Sequence, residues 1–484
     1  MKNKYVIMFT LLIMLLTAIP ADSKAIPVKY RHVTDQCDLL DQPITAYGIP
    51  ILGGTRQVPG DSVGTTTWDV QSNGSLGRRL YIDRSGGVHI DWMMGIMPLS
   101  GATRRCEWNF RRPDGTYFGD VDAGPLSSGY VNLSLTRDAD PTNQRTVICY
   151  HYNIGTNAYY PFIDIDTQNG AGSFPNNPKT PAMNNYLWPN IACVNNGNIV
   201  MTTDDNAGNF HHVFLTTDEG NTWTNVINTD SCATESRIIA ASDNPGSNKV
   251  VFAETRFITD SLAAGQLDNN VWFRLSTDGG VTWGPHTNIT HYQPADSVRA
   301  YCDVSAVFDA NDDLHIIWSG RRTTGNNYYD ASKIFHWDEI SNAISVVTGP
   351  NPIFEGGWWG WVNPNGYGAW RMPADRSALV VDQTTNWLYC IWCGQTDTAD
   401  YSEQDSSLGG YPNGDIYGAY SSNNGLTWGA IGTLYGYINL TNTHTPGAPP
   451  GACDDEDYMT ANPFVYRDSI FITFIEDKAA GSVK

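Results

Sequence analysis

The sequence predicts an all-β chain, a β-propeller of four-stranded antiparallel blades, and three observations predict it. An Asp- and Gly-rich octapeptide ending in Trp recurs at 216–223 (TTDEGNTW), 276–283 (STDGGVTW) and 421–428 (SSNNGLTW). Each copy follows the same grammar: an apolar strand, a Gly/Asn/Asp turn, a second strand, a linker, and a third strand running into the octapeptide. The corresponding turns fall near 112, 165, 217, 277, 338 and 422, about 50 to 60 residues apart with one longer interval. A four-stranded repeat of roughly this length is the pattern of blades set radially around a channel. Helical periodicity is negligible.

In chain order, RRLYIDRSGGVHIDWMMG and CEWNFRRPDGTYFG make a unit at 78–119, and YVNLSLT, RTVICYHYN and YYPFIDIDTQNGAG another at 130–172. YLWPNIACVNNGNIVMTT leads into the turn at 216; SRIIAAS, KVVFAETR and NVWFRLS lead into the turn at 276. A unit at 300–348 follows, then DRSALVVD, NWLYCIWCG and GDIYGAYS before the turn at 421. The closing strands ANPFVYRD and SIFITFIED lack outer partners, and TTTWDVQSNG (65–74) reads as an orphan strand. Joining the two would close the ring and hide its open edges. Six complete units and one shared unit favour seven blades over six.

The octapeptide reads as a fold staple. Asp218 and Asp278 can accept from turn amides, with Asn423 in the same place in the third copy, and Gly220, Gly280 and Gly425 can take positive φ. Trp223, Trp283 and Trp428 return to the sheet and should bury an apolar face between neighbouring blades.

The first residues carry two lysines, an apolar run from Tyr5 to Ile19 and small residues near Ala21 and Ala25. This reads as a signal peptide over 1–25, too short to span a bilayer, followed by one propeller domain over 26–484. The expected location is secreted, periplasmic or cell-surface. Acidic residues outnumber basic ones by 50 to 29, which argues against nucleic acid or an anionic membrane as partner, and no later stretch is apolar enough to cross a membrane, so no membrane insertion is expected. The nine cysteines are scattered except for Cys390 and Cys393, which sit in a strand-like run and read as buried side chains or one disulfide.

The motifs STDGGVTW, TTDEGNTW and SSNNGLTW resemble the Asp-box, or BNR, repeat of the sialidase-like β-propeller superfamily. That resemblance implies a propeller, usually of six blades. In sialidases it also implies three inner-strand arginines that bind a carboxylate, an Asp acid/base, and a Tyr nucleophile paired with a Glu. Arginine is the side chain that meets a carboxylate with two parallel donors. Arg79, Arg237, Arg299 and Arg376 stand at expected starts of inner strands. SRIIAAS with VVFAETRFITD resembles the opening of a sialidase, which maps Arg237 to the triad and Asp260 to the acid/base, with Arg256 and Glu254 beside them. The proline expected after Arg237-Ile238 is absent and the segment lies mid-chain, so the pairing of these arginines with acidic loops is the competing account.

A second constellation is EGGWWGWVNPNGYGAW, within an inter-blade insertion at 349–375. Trp358, Trp359, Trp361, Tyr367 and Trp370 are too many, with too many glycines, to be core, so they form a binding rim or a channel plug. A second insertion occupies 394–414. Asp164 and Asp166 alternate as cation ligands do but lack a terminal Glu, so a structural calcium is left open and no cofactor is required. DANDDLH (309–315) and CDDEDY (453–458) read as solvated acidic turns. The function expected is an exported glycan-binding or scaffolding module. The alternatives are a sialidase-type glycoside hydrolase and a protein-interaction propeller.

Overall fold

Apolar runs broken by Gly, Asn and Asp turns set the strands, and the shortness of those turns makes successive strands pair with each other. The structure, a computed structural model, describes residues 59–96, 103–155, 158–175, 179–181, 185–205, 210–228, 233–258, 269–325, 327–348, 359–360, 371–395, 405–429 and 436–480. Among these residues there is no α-helix, and every ladder between named strands is antiparallel.

The strands form meanders in chain order. The first unit holds β1 (Leu80–Ile82), β2 (Val88–Gly95), β3 (Arg104–Arg111) and β4 (Val121–Asp122), and the second β5 (Ser128–Leu135), β6 (Thr146–Asn153) and β7 (Tyr159–Ile165). The third holds β8 (Tyr186–Cys193), β9 (Ile199–Asp205), β10 (Phe210–Thr216) and β11 (Thr224–Asn228). The fourth holds β12 (Ala233–Ala241), β13 (Val250–Phe257), β14 (Asn269–Ser276) and β15 (Thr287–Asn288). The fifth holds β16 (Val298–Phe308), β17 (Leu314–Thr324), β18 (Asn327–Asp338) and β19 (Ile344–Val346), with β20 (Trp359–Gly360) added to β18. The sixth holds β21 (Ala374–Val381), β22 (Leu388–Gln395), β23 (Gly414–Ser421) and β24 (Ile438–Asn439), and the last β25 (Asp455–Ala461) and β26 (Ile472–Asp477). A single pairing, Asn269 with Ala300, joins the fourth and fifth units.

Each unit buries one face against the next. Val131, Leu133 and Tyr150 of the second unit pack on Trp108 and Tyr81 of the first. Val147 and Ile163 meet Ile191 and Met201, and Val200 and Val213 meet Ile239 and Phe252. Val251 and Val271 meet Ile316 and Trp318, while Ile317 and Ile334 meet Leu379 and Trp392. Val380 and Ile416 meet Met459 and Ala461 of the last unit. The sequence of contacts returns to its start, because Phe464, Tyr466 and Phe471 pack on Leu80, Ile82, Val88 and Ile90. Backbone groups of the first unit reach the last as well: Ile82 N donates to Asn462 Oδ1 at 3.0 Å.

One sequence expectation is corrected here. TTTWDVQSNG carries no strand and does not pair with β25 or β26. Its Trp68 and Val70 instead join a cluster with Met93, Tyr130, Leu187, Trp188 and Tyr458, drawn from the first, second, third and last units. Ser75 Oγ accepts from Val304 N of the fifth unit at 3.0 Å. A segment that touches five units at once runs across the inner strands, where the packing interface is shared, so it cannot serve as an edge strand.

The recurrent octapeptide is the expected staple. Asp278 Oδ1 accepts from Thr282 N at 2.9 Å, Gly280 N donates to Ser276 Oγ at 2.8 Å, and Trp283 packs on the preceding unit. Asp218 repeats this with Thr222 at 2.8 Å, and Trp223 packs in the same sense. Asn423 Oδ1 accepts from Thr427 N at 3.1 Å, its amide donates to Thr427 Oγ1 at 2.9 Å, and Trp428 lies against the fifth unit.

A second staple went unread in the sequence. In DRSGGVH and DANDDLH the first Asp accepts from two hairpin amides and meets a His six residues on: Asp83 with His89 at 3.2 Å, Asp309 with His315 at 3.7 Å. Burial would raise both carboxyls, yet the histidines and amides hold them below the usual range. DANDDLH is thus a buried hairpin corner at Asp309 and not a solvated turn. Cys390 and Cys393 are both buried free thiols, as the plainer reading of that pair expects.

At Gly425 (φ +76°) an added Cβ would lie 2.0 Å from His336 Cε1 of the preceding unit, whereas at Gly429 nothing lies within 4 Å. Gly425→Ala is expected to lower unfolding free energy by about 2 kcal/mol or more, and Gly429→Ala to change it by less than about 0.5 kcal/mol. Urea unfolding of the two variants checks this.

Candidate functional site

Six of the seven inner strands carry a β-bulge at the same level. In β5, β8, β21 and β25 two residues oppose one of the partner strand, and the first of the two takes positive φ without being glycine: Tyr130 (57°), Trp188 (47°), Arg376 (48°) and Tyr458 (52°). A bulge turns side chains out of the pleat and frees main-chain groups from the ladder. Non-glycine residues in this region are strained and persist only where their surroundings hold them. The same strain repeated in four strands marks this level as the candidate site.

The freed groups are satisfied across the seams between units. Arg237 of β12 donates to the carbonyls of Leu187 (3.1 Å) and Trp188 (2.6 Å) in β8, and its other arm lies 3.5 Å from Asp204. Arg79 donates to the carbonyl of Tyr458 and, at 3.1 Å, to Gln71 Oε1. Asn132 of β5 donates to Pro189 O at 2.9 Å, and Asp303 accepts from Ser377 N at 3.4 Å. Arg376 reaches Asp457 at 3.2 Å and Asp375 at 3.4 Å, with its guanidinium 4.1 Å from the Tyr458 ring centre. Arg299 donates to the carbonyls of Pro294 and, at 2.8 Å, Gly325.

The four arginines expected to line a funnel therefore stand near inner-strand starts, but they are 3% (Arg79), 1% (Arg237), 0% (Arg299) and 3% (Arg376) exposed. Their role differs from the expected one: Arg79 and Arg237 brace bulges, Arg376 balances Asp375 and Asp457, and Arg299 ties down the carbonyls of Pro294 and Gly325. Glu254 is likewise buried, 2.5 Å from His211 Nδ1, 2.7 Å from His286 Nε2 and 3.3 Å from Arg256 Nη1. Burial alone would raise its carboxyl, but the two histidines and Arg256 hold it well below the usual range. Asp260 lies outside the described residues, as do Trp358, Trp361, Tyr367 and Trp370; Trp359 falls in β20, which pairs with Ala331 and Ser332 of β18. Asp166 accepts from Gly172 N and Ser173 N, both at 3.0 Å, and so pins a turn. Asp164 is buried, and burial pushes its carboxyl up to about 7.

The sequence reading missed an acidic and basic cluster at the start of β25. CDDEDY is not a solvated turn: Asp455, Glu456, Asp457 and Tyr458 are all buried. Arg371 meets Asp455 with two bonds of 3.2 Å and Asp457 through Nε at 2.9 Å. Asp457 is held below the usual carboxylate range by Arg371 and Arg376 against the effect of burial, while burial raises Asp375 to about 7. Asp375, Cys393 and Asp457 converge as metal ligands would, but the guanidiniums of Arg376 and Arg371 already balance their charge. Asp69 and Asp477 join Arg371, Asp455, Asp457 and Tyr458 around a small pocket. The readable signal was the loss of strict alternation in DEDYMTA, where one residue too many stands before the apolar positions.

No protein-family model matches the sequence, and no curated protein matches it. Solved structures similar to the chain include the polysaccharide lyase Uly1, with a TM-score of 0.48, 9% identity, and 89% of this chain and 92% of that chain covered. An ulvan lyase bound to -[GlcA(1-4)Rha3S]- has a TM-score of 0.47 at 9% identity, over 84% and 95% of the two chains. The NanB sialidase from Streptococcus pneumoniae has a TM-score of 0.40 at 10% identity, over 69% of this chain and 67% of its own.

Two outcomes follow from the bracing role. Removing Arg237 strips two carbonyls and a buried carboxylate of their partner, so Arg237→Ala is expected to lower stability by about 3–5 kcal/mol, read by denaturant unfolding. Glu456 accepts from Thr443 at 2.8 Å, and burial with the nearby charge of Asp415 pushes it from 4.5 up to about 9. The folded chain thus keeps a proton that the unfolded chain releases, and the stability linked to it is lost as pH rises towards 9. Tm should fall between pH 7 and 9, and Glu456→Gln should flatten that slope.

Proposed function

We propose that this chain is an exported, sialidase-like Asp-box propeller of seven blades that binds glycans and does not hydrolyse them. The cyclic order of the seams supports the propeller, and the three octapeptide corners support its Asp-box character. The apolar run from Tyr5 to Ile19 supports export with loss of residues 1–25. One observation carries the choice of binding over hydrolysis: Arg79, Arg237, Arg299 and Arg376 are buried and committed to the chain's own carbonyls and carboxylates, so these four do not form a carboxylate-binding triad. Arginine is effective for an incoming carboxylate only when its fork faces the ligand.

The binding surface in this reading is the rim built by the β17–β18 hairpin. These strands run to 11 and 12 residues and carry β20, the described part of the Trp-rich insertion. On the hairpin, the guanidinium of Arg322 lies 4.9 Å from the ring centre of Tyr329, and both are half-buried. A flat apolar face beside fixed donors suits a sugar ring. A protein partner is the reading favoured by the outer edge of the fifth unit, where Ile340 in the β18–β19 turn is 65% and Ile344 in β19 is 41% exposed.

An immobilised glycan panel run beside a fluorogenic sialoside tests the proposal. Binding without fluorophore release is expected, with Tyr329→Ala and Arg322→Ala each weakening it about tenfold, equivalent to about 1.4 kcal/mol. Sialoside turnover above the buffer rate would contradict it.

A further inference from the structure

A cavity of about 20 Å³ lies between the inner strands, lined by Ile238 of β12, Ser305 of β16, Ser377 of β21 and Thr460 of β25, with Arg78 of the segment ahead of β1. It has room for about one water-sized body, which excludes a sugar and admits a small ion. Arg78 is the one charged residue in the lining, and no carboxylate reaches it. Thr460 Oγ1 is already committed, donating to Gly77 O at 3.4 Å. The hydroxyls of Ser305 and Ser377 make no hydrogen bond to any described residue and remain as donors.

Arg78 carries a charge that the chain does not balance. Among the described residues Asp243 is the one carboxylate in ion-pair range of it, at 3.9 Å. That carboxylate is already taken: Arg137 meets Asp243 Oδ1 at 2.7 Å, and Tyr81 Oη donates to the same oxygen. Two guanidiniums therefore share one negative charge, although the Arg78 side chain is only 16% exposed. Its terminal Nη2 is buried without an acceptor, whereas in the other described arginines with an unpaired buried nitrogen that atom is Nε. A buried cation in surplus is costly. A water molecule in the cavity would accept from Nη2 but leave the charge uncancelled.

We propose that this cavity is a site for a monatomic anion of chloride size, which accepts from Arg78 Nη2 and from the hydroxyls of Ser305 and Ser377. The ion supplies the missing negative charge. Because its donors come from the segment ahead of β1, from β16 and from β21, it also ties the start of the first unit to the fifth and sixth. The site is independent of the glycan reading, and neither stands or falls with the other.

The test is the melting temperature of the full chain in sodium chloride and in sodium gluconate at matched sodium concentration, gluconate being too large for the cavity. Tm should rise by about 1–2 °C more in chloride for each tenfold increase once the site fills, and bromide should replace chloride. Arg78→Gln should abolish the difference between the two salts, because general salt effects survive in the variant and a specific site does not. Ser305→Ala with Ser377→Ala should raise the chloride concentration for half the effect about tenfold. A bromide-soaked crystal should show one anomalous peak beside Arg78. Equal melting in chloride and gluconate, a difference that persists in Arg78→Gln, or water in place of bromide at Arg78 would each overturn the inference. If Arg78→Gln does not fold, the double serine variant decides: an unchanged half-effect concentration counts against the site equally.

Discussion

Bulging six inner strands at one height takes main-chain groups out of their ladders in the middle of the protein, and everything else in this structure answers to that. Carbonyls at Leu187, Trp188, Pro189 and Tyr458 need donors that water cannot supply at such depth. Each finds one on a neighbouring unit: Arg237, Asn132 or Arg79. The seams are therefore held at two levels, apolar faces outward from the axis and a polar girdle around it. Apolar packing alone is tolerant of sliding, whereas a guanidinium shared by two carbonyls fixes how far one sheet lies from the next. The last seam has both levels too, with Arg79 bound to Tyr458 and Phe464 packed on the first unit.

The girdle also accounts for the charge distribution. A chain with 50 acidic and 29 basic residues places many of its arginines inside, where each balances carboxylates or main-chain dipoles. Burial raises carboxyls that no cation balances fully, Glu456 to about 9 and Asp164 to about 7. A chain of this kind is stable over a window: it loses support in acid, where Glu254 and Asp83 must take up protons, and in alkali, where Glu456 must give one up.

Local features were legible in the sequence and long-range ones were not. The strands, the turn at each octapeptide and the burial of Trp223, Trp283 and Trp428 depend on residues close in the chain, and the structure places them as expected. Arg79, Arg237, Arg299 and Arg376 were located correctly near inner-strand starts, but Arg79 and Arg237 meet carbonyls freed by bulges, Arg299 meets loop carbonyls and Arg376 meets Asp375 and Asp457, and a carbonyl leaves no trace in a sequence. Asp455 and Asp457 looked like solvent-facing acids because the arginines that meet them, Arg371 and Arg376, lie about 80 residues away along the chain. TTTWDVQSNG has strand-like residues, and only the competition between an edge position and the shared centre decides for the centre.

Closure of the ring at the seam between β25 and β1 is the central claim, and amide hydrogen exchange measures it directly. If the girdle and the packing of Phe464 and Tyr466 complete the circle, amides of β1 and β25 will exchange as slowly as those of β8 and β12, and all four strands will open together near the global unfolding limit. Early exchange confined to β1 and β25, with β8 and β12 still protected, would mean that the two ends of the chain meet without being joined.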